Sequence, residues 1–90
     1  MVRTYVVVLL REEDGGYVVT VPALPGCVTQ GDNLPDALDR VREAILGHIE
    51  TLQAHGEPVP EETPQVVFDL GDAQEALVCR VTVQEEMAVA

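Results

Sequence analysis

The hydrophobic pattern of this chain changes period along its length, and the changes mark its elements. Thr4 to Leu10, "TYVVVLL", is a β-branched-rich run of strand length that stops at the charged "REED". Tyr17 to Val21, "YVVTV", follows the turn pair Gly15-Gly16. The two runs predict strands over about 4–10 and 17–21, joined as an antiparallel hairpin with its loop around Glu12 to Gly16. The first run is apolar on both alternating faces, with Tyr5, Val7 and Leu9 on one and Val6, Val8 and Leu10 on the other. An edge strand with one wet face would alternate instead. The expectation is a central strand covered on both sides, or one whose second face, Val6, Val8 and Leu10, meets another subunit.

"PALPG", Pro22 to Gly26, breaks the strand period. The two prolines lack backbone donors, and Gly26 suits the positive φ that a type II turn requires. "CVTQ" then predicts a short third strand over about 27–30. Asn33 is a helix N-cap candidate with Asp36 at the capping-box position, and Pro35 falls in the first turn where no donor is needed. From Leu34 the period becomes helical. Leu34, Ala37, Leu38, Val41, Ala44, Ile45, Ile49 and Leu52 share one face, while Asp36, Asp39, Arg40, Arg42, Glu43 and Glu50 share the other. Gly56 and Pro58 end this helix, predicted over about 34–55, with His55 in its last turn. After the connector "EPVPEETP", "QVVFDL" and "EALVCRVTVQ" predict late strands over about 65–70 and 76–84 around Gly71-Asp72. In the second of these, Leu77, Cys79, Val81 and Val83 face inward. The whole reads as an α+β fold of order β-β-β-α-β, with room for one extra C-terminal strand and one long helix packed on an antiparallel sheet.

Ninety residues make a single domain, 1–90, with a modest core, so association with another chain is a natural supplement. Only three residues are aromatic, which leaves the core to Val, Leu, Ile and Ala. Charge alters the picture more. Sixteen acidic residues against five arginines give a formal net charge of −11. Nucleic-acid binding relies on basic groups to neutralise phosphates, so DNA, RNA and anionic membrane are poor partners. A basic protein is the better match, because opposite fields speed encounter. Cys27 and Cys79 are too far apart for a paired-cysteine metal site and read as small buried hydrophobes. No run approaches a membrane span or a signal peptide, so the expected compartment is the cytoplasm, with both thiols reduced.

Catalytic chemistry is hard to find. The chain has no serine and no lysine. His48 and His55 lie about two turns apart on the helix, too distant to share one metal ion. Thr20 and Thr29 are ordinary strand choices. Glu12, Glu13 and Asp14 are consecutive in a loop, and Asp36, Asp39 and Glu43 are interleaved with Arg40 and Arg42 as in an exposed salt-bridged helix. These six acids are the candidate contacts for a basic partner. No catalytic residue, metal or cofactor is expected. An acidic, magnesium-dependent nuclease is the competing enzymatic reading.

Asp14 to Ile45, "DGGYVVTVPALPGCVTQGDNLPDALDRVREAI", resembles the signature of HicB-type antitoxins and their stand-alone relatives. The matching positions are Pro22, Leu24, Pro25, Gly26, Cys27, Gly31, Asp32, Leu34, Ala37, Leu38 and Ala44, and "HGEPVPEE" resembles the family's helix exit. The resemblance implies a partial ribonuclease-H-like fold without that enzyme's catalytic carboxylates. It also implies a non-enzymatic antitoxin that neutralises a small, basic, mRNA-cleaving HicA-type toxin and self-associates as a dimer or tetramer. The C-terminal DNA-binding domain carried by many such antitoxins has no counterpart here, so direct DNA binding is not expected. The alternative within the family is an orphan oligomer with an unknown ligand.

Overall fold

The computed structural model describes residues 1–62, 71 and 75–85. Four strands and one helix follow in the order β1 (Val2–Arg11), β2 (Tyr17–Thr20), β3 (Val28–Gly31), α1 (Leu34–Ala54) and β4 (Glu75–Gln84). The strands form one antiparallel sheet of order β3-β2-β1-β4. β1 is therefore central, as its doubly apolar pattern requires. β4 pairs with it along ten consecutive residues, from Val2↔Gln84 to Arg11↔Glu75. The strand expected over 65–70 lies outside the described residues.

One face of the sheet receives α1. Tyr5, Val7 and Leu9 of β1 join Val19, Val81 and Val83 against Ala37, Val41, Ile45 and Ile49, which recur at helical spacing. All are buried, and no polar side chain is buried with them among the described residues. The helix stripe is narrower than its sequence period suggests. Leu34 is exposed and Leu52 half-buried, so the buried stripe is confined to Ala37, Val41, Ile45 and Ile49. On the sheet's other face Val8 is fully buried, with Val6 and Leu10 half-buried beside it.

The punctuation residues act locally, as their chemistry dictates. In the β1–β2 loop the Glu12 amide donates to the Gly16 carbonyl and the Gly15 amide to the Glu12 carbonyl, with Gly15 at φ 91°. Leu24-Pro25-Gly26-Cys27 is a turn closed by the Cys27 amide donating to the Leu24 carbonyl at 2.9 Å, with Gly26 at φ 87°. Proline then glycine at its centre is the type II arrangement. This bend delivers Leu24 and Cys27 into the core, both buried. At the helix C-terminus the Gly56 amide donates to the Gln53 carbonyl and the Glu57 amide to the Leu52 carbonyl, the paired bonds of a Schellman motif.

The exit segment then returns to β1. Tyr5 Oη donates to the Pro60 carbonyl at 2.6 Å, and the Val6 amide donates to the Glu62 carboxylate. β2 covers β1 only between Val8 and Arg11, so residues 57–62 take over beside the rest of that strand. A further tie joins three elements. Glu85 accepts from Arg3 Nε at 2.9 Å and from Gln53 Nε2 at 3.0 Å, linking the end of β4 to β1 and to the last turns of α1. No described helix is long and apolar enough to cross a membrane.

Candidate functional site

The site begins where β3 hands the chain to α1. Asn33 sits in extended geometry and its Oδ1 accepts from the Asp36 amide at 2.9 Å, so it caps the helix as expected. Asp36 does not close a conventional capping box. Its Oδ2 accepts from the Asp32 amide at 2.9 Å, one residue before the cap. Both its oxygens also accept from Arg40 Nε, at 3.1 and 3.0 Å. The Asp32 amide and the Arg40 guanidinium together hold the Asp36 carboxyl below its ordinary value of 3.8.

That depression makes a testable statement about acid stability. A carboxyl whose folded pKa is lowered contributes stability that is complete above its unfolded value and is lost as pH falls through the folded one. Asp36→Asn should therefore lower the urea midpoint at neutral pH. The gap to the parent protein should close below about pH 4, near the unperturbed aspartate value. A gap that stayed constant as the pH fell well below the ordinary aspartate value would remove Asp36 ionisation from the account.

The β1–β2 loop meets this corner through the sheet register. Tyr17 pairs with Gly31 across β2 and β3, which carries the loop beside the start of α1. Asp14 Oδ1 accepts from the Gly16 amide at 2.9 Å and fixes the loop's second half. Between loop and corner lies a cleft of about 330 Å³. Glu12 and Asp14 line it from the loop, Asp32 and Arg40 from the helix entry, and Tyr17 and Gln30 from the strands. Gly16 and Gly31 complete its lining.

The two groups of acids read from sequence are thus placed differently. Glu12 and Asp14 line the cleft and Glu13 lies beside them in the exposed loop. Asp36 is spent on the corner. Asp39 lies farther along the helix within 3.6 Å of Arg42 and is widely exposed, as is Glu43. Asp32, Tyr17, Gln30 and Arg40 are not among the candidate contacts that the sequence suggests. The usable signal was the hairpin register, because the Tyr17–Gly31 pairing is what brings residues 12–17 against residues 30–40. Val6, Val8 and Leu10 lie on the opposite side of the sheet from α1. Among the described residues no group of three or more His, Cys, Asp or Glu is placed to hold a metal ion. Cys27 is buried and Cys79 half-buried, and burial raises both thiols above the ordinary value.

The family described as "HicB_like antitoxin of bacterial toxin-antitoxin system" matches residues 5–87. A UPF0150 protein of Thermoplasma acidophilum is 46% identical over 63 residues, which span 70% of this chain and 91% of that protein. Antitoxin HicB 1 of Photorhabdus laumondii is 35% identical over 60 residues, 67% of this chain and 39% of that longer protein. In structure, the N-terminal domain of the Burkholderia pseudomallei antitoxin HicB superposes with a TM-score of 0.64 at 29% identity, covering 87% of this chain and 94% of that domain.

Proposed function

The chain belongs to the HicB-like antitoxin family of bacterial toxin–antitoxin systems, and from that premise we propose that it binds and neutralises a small, basic, mRNA-cleaving toxin of the HicA type. The observation that carries this reading is the charge. A formal −11 on ninety residues suits a basic protein surface and disfavours phosphate ligands. The protein acts in the cytoplasm by occlusion, with no chemistry of its own. The contact surface centres on Glu12, Glu13 and Asp14 and extends along α1 through Asp39 and Glu43, all on the exposed exterior. Asp36 supports that surface by fixing the helix entry.

The sheet face opposite α1 is assigned to self-association as a dimer or tetramer. Its cross-strand row runs Val28, Thr20, Val8, Val78, and the two end residues are 59% and 55% exposed. Sedimentation equilibrium of a Val28→Glu/Val78→Glu protein decides this point, with a monomer expected. The functional reading is tested by adding the chain to a small basic toxin of the HicA type. Cleavage of a reporter RNA should stop at an equimolar ratio. Undiminished cleavage with the chain in excess defeats the reading.

A further inference from the structure

We propose that the far edge of β4 pairs with the same edge of a second copy of this chain, antiparallel about a two-fold axis at Val78; this rests on the self-association reading and gives it a geometry. The two sheets of four strands become one of eight.

The ends of the sheet are built differently. β3, at one end, has four residues and lies between the proline-glycine bend and the helix entry. β4, at the other, runs for ten residues with no proline, no lysine and no break in its register against β1. Among the described residues no strand pairs with its far side. Short length, lysine, proline and bulges are the devices that keep a sheet edge from pairing with another chain. β3 is blunted by its length, and β4 has none of them.

The ladder to β1 fixes which β4 groups point outward. Met1 and Glu85 exchange both bonds, the Glu85 amide donating at 2.8 Å and the Met1 amino group at 3.3 Å. Odd-numbered residues of β4 therefore bond to β1, and the amides and carbonyls of Ala76, Val78, Arg80, Thr82 and Gln84 point away from it. Consistently, the Val6 amide, opposite Arg80 in the register, donates to the Glu62 carboxylate rather than to β4.

Charge selects a second copy over a basic protein as the occupant. Of the sixteen acids only Glu75 lies in a strand, and positions 76 to 84 carry one charge, Arg80. A basic partner finds no carboxylate along that stretch. Two copies, each at −11, meet there with their acids directed elsewhere.

The same residues set the register. Residues directly opposite in an antiparallel pair share a face of the sheet, so the two-fold axis falls on a residue. An axis at Arg80 would oppose two guanidiniums and would also set Glu75 against Glu85, both like-charge pairs. An axis at Cys79 would set each exposed Val78 against an arginine. An axis at Val78 joins the two valines, each 55% exposed, and sets Leu77 against Cys79 and Ala76 against Arg80. The row Val28, Thr20, Val8, Val78 then continues through the second copy with no charged residue in it.

Amide hydrogen exchange of the parent protein over a concentration series reads the edge contact directly. The Ala76, Val78 and Arg80 amides should exchange about ten-fold or more slower in the oligomer than after dilution to monomer, as newly bonded amides do. Leu77, Cys79 and Val81, already bonded to β1, should change less. An oligomer in sedimentation whose Ala76, Val78 and Arg80 amides stay open overturns the edge contact and leaves the self-association reading standing. A protein that is monomeric at every concentration overturns both. Oxidative cross-linking then tests the axis. Val78→Cys/Cys79→Ser should give a disulfide-linked dimer, because directly opposed residues lie about 5.5 Å apart at Cα, within bridging distance. In the parent the two Cys79 residues would be diagonal at about 7–8 Å, so no bridge should form. Sheets stacked face to face stand about 10 Å apart, too far for either bridge. A Cys79 bridge in the parent, or none in the Val78→Cys/Cys79→Ser protein, overturns the Val78 axis.

Discussion

Gly31→Ala is expected to lower the stability of this protein by about 3 kcal/mol, at the upper end of what overpacking costs. The reason is a close approach rather than an unusual φ. An added Cβ would stand 2.5 Å from both the Cα and the amide nitrogen of Ala37 and 2.9 Å from its Cβ. Two of these are backbone atoms of a helix already fixed by the Asn33 cap and the Asp36–Arg40 pair, so no side chain can swing aside. The helix must lift from β3, and the Ala37, Val41 and Ile45 contacts lift with it. For a domain of this size the loss corresponds to a melting temperature roughly 12 °C or more below the parent. Gly47→Ala supplies the control of opposite sign. Gly47 lies within α1 with nothing inside 4 Å of the added carbon, so alanine there should stabilise by about 0.5–1 kcal/mol through helix propensity. Thermal melts of the two proteins, differing only in which glycine gains a methyl, decide the matter. A Gly31→Ala midpoint within about 2 °C of the parent, a shift typical of a neutral surface change, would show that the corner is looser than described.

Gly31 also shows what the sequence discloses and what it withholds. The alternation of β1, the proline-glycine bend, the Asn33 cap and the helical stripe are local rules, and each can be read directly from neighbouring residues. The structure places β1 at the centre, Gly26 at positive φ and the cap on Asn33, in line with them. The resemblance of Asp14–Ile45 to HicB antitoxins rests on those same scaffold positions, and for this reason it identifies a family without naming a contact. Gly31 in sequence reads as part of a strand-ending "GDN" and as one position shared with the HicB signature, and neither discloses its role. Its actual role is to let the first turn of α1 touch β3, which depends on crossing geometry that no local rule encodes. The cleft is non-local in the same way. Glu12 and Asp32 are twenty positions apart, and only the Tyr17–Gly31 register joins them. Asp36 carries the reverse lesson. A carboxylate that looks like a surface contact is committed to the Asp32 amide just ahead of the cap and to Arg40 one turn on, both within reach of a first-turn position.

The scaffold therefore does two things with its acids, and they should separate by experiment. Glu12→Lys/Glu13→Lys/Asp14→Asn is expected to slow association with a basic toxin by about 10- to 100-fold at low salt, within the range that electrostatic steering contributes. Asparagine is chosen at position 14 because its side-chain oxygen can still accept from the Gly16 amide and preserve the loop. The three changes take the formal charge from −11 to −6, two lysines contributing two charges each and the asparagine one. They place the whole change at the tip of one hairpin. Because all three side chains are exposed, the melting temperature should stay close to the parent value. The rate deficit should shrink towards nothing as ionic strength rises past about 0.5 M, where screening lengths fall to a few ångströms. Dissociation should change less than association if these groups steer the encounter from outside the buried contact, and more if they sit inside it. Stopped-flow association rates over a salt series measure both quantities. If rate and salt slope both match the parent, the loop is a solvated turn, and the toxin-facing surface must lie on another part of this acidic chain.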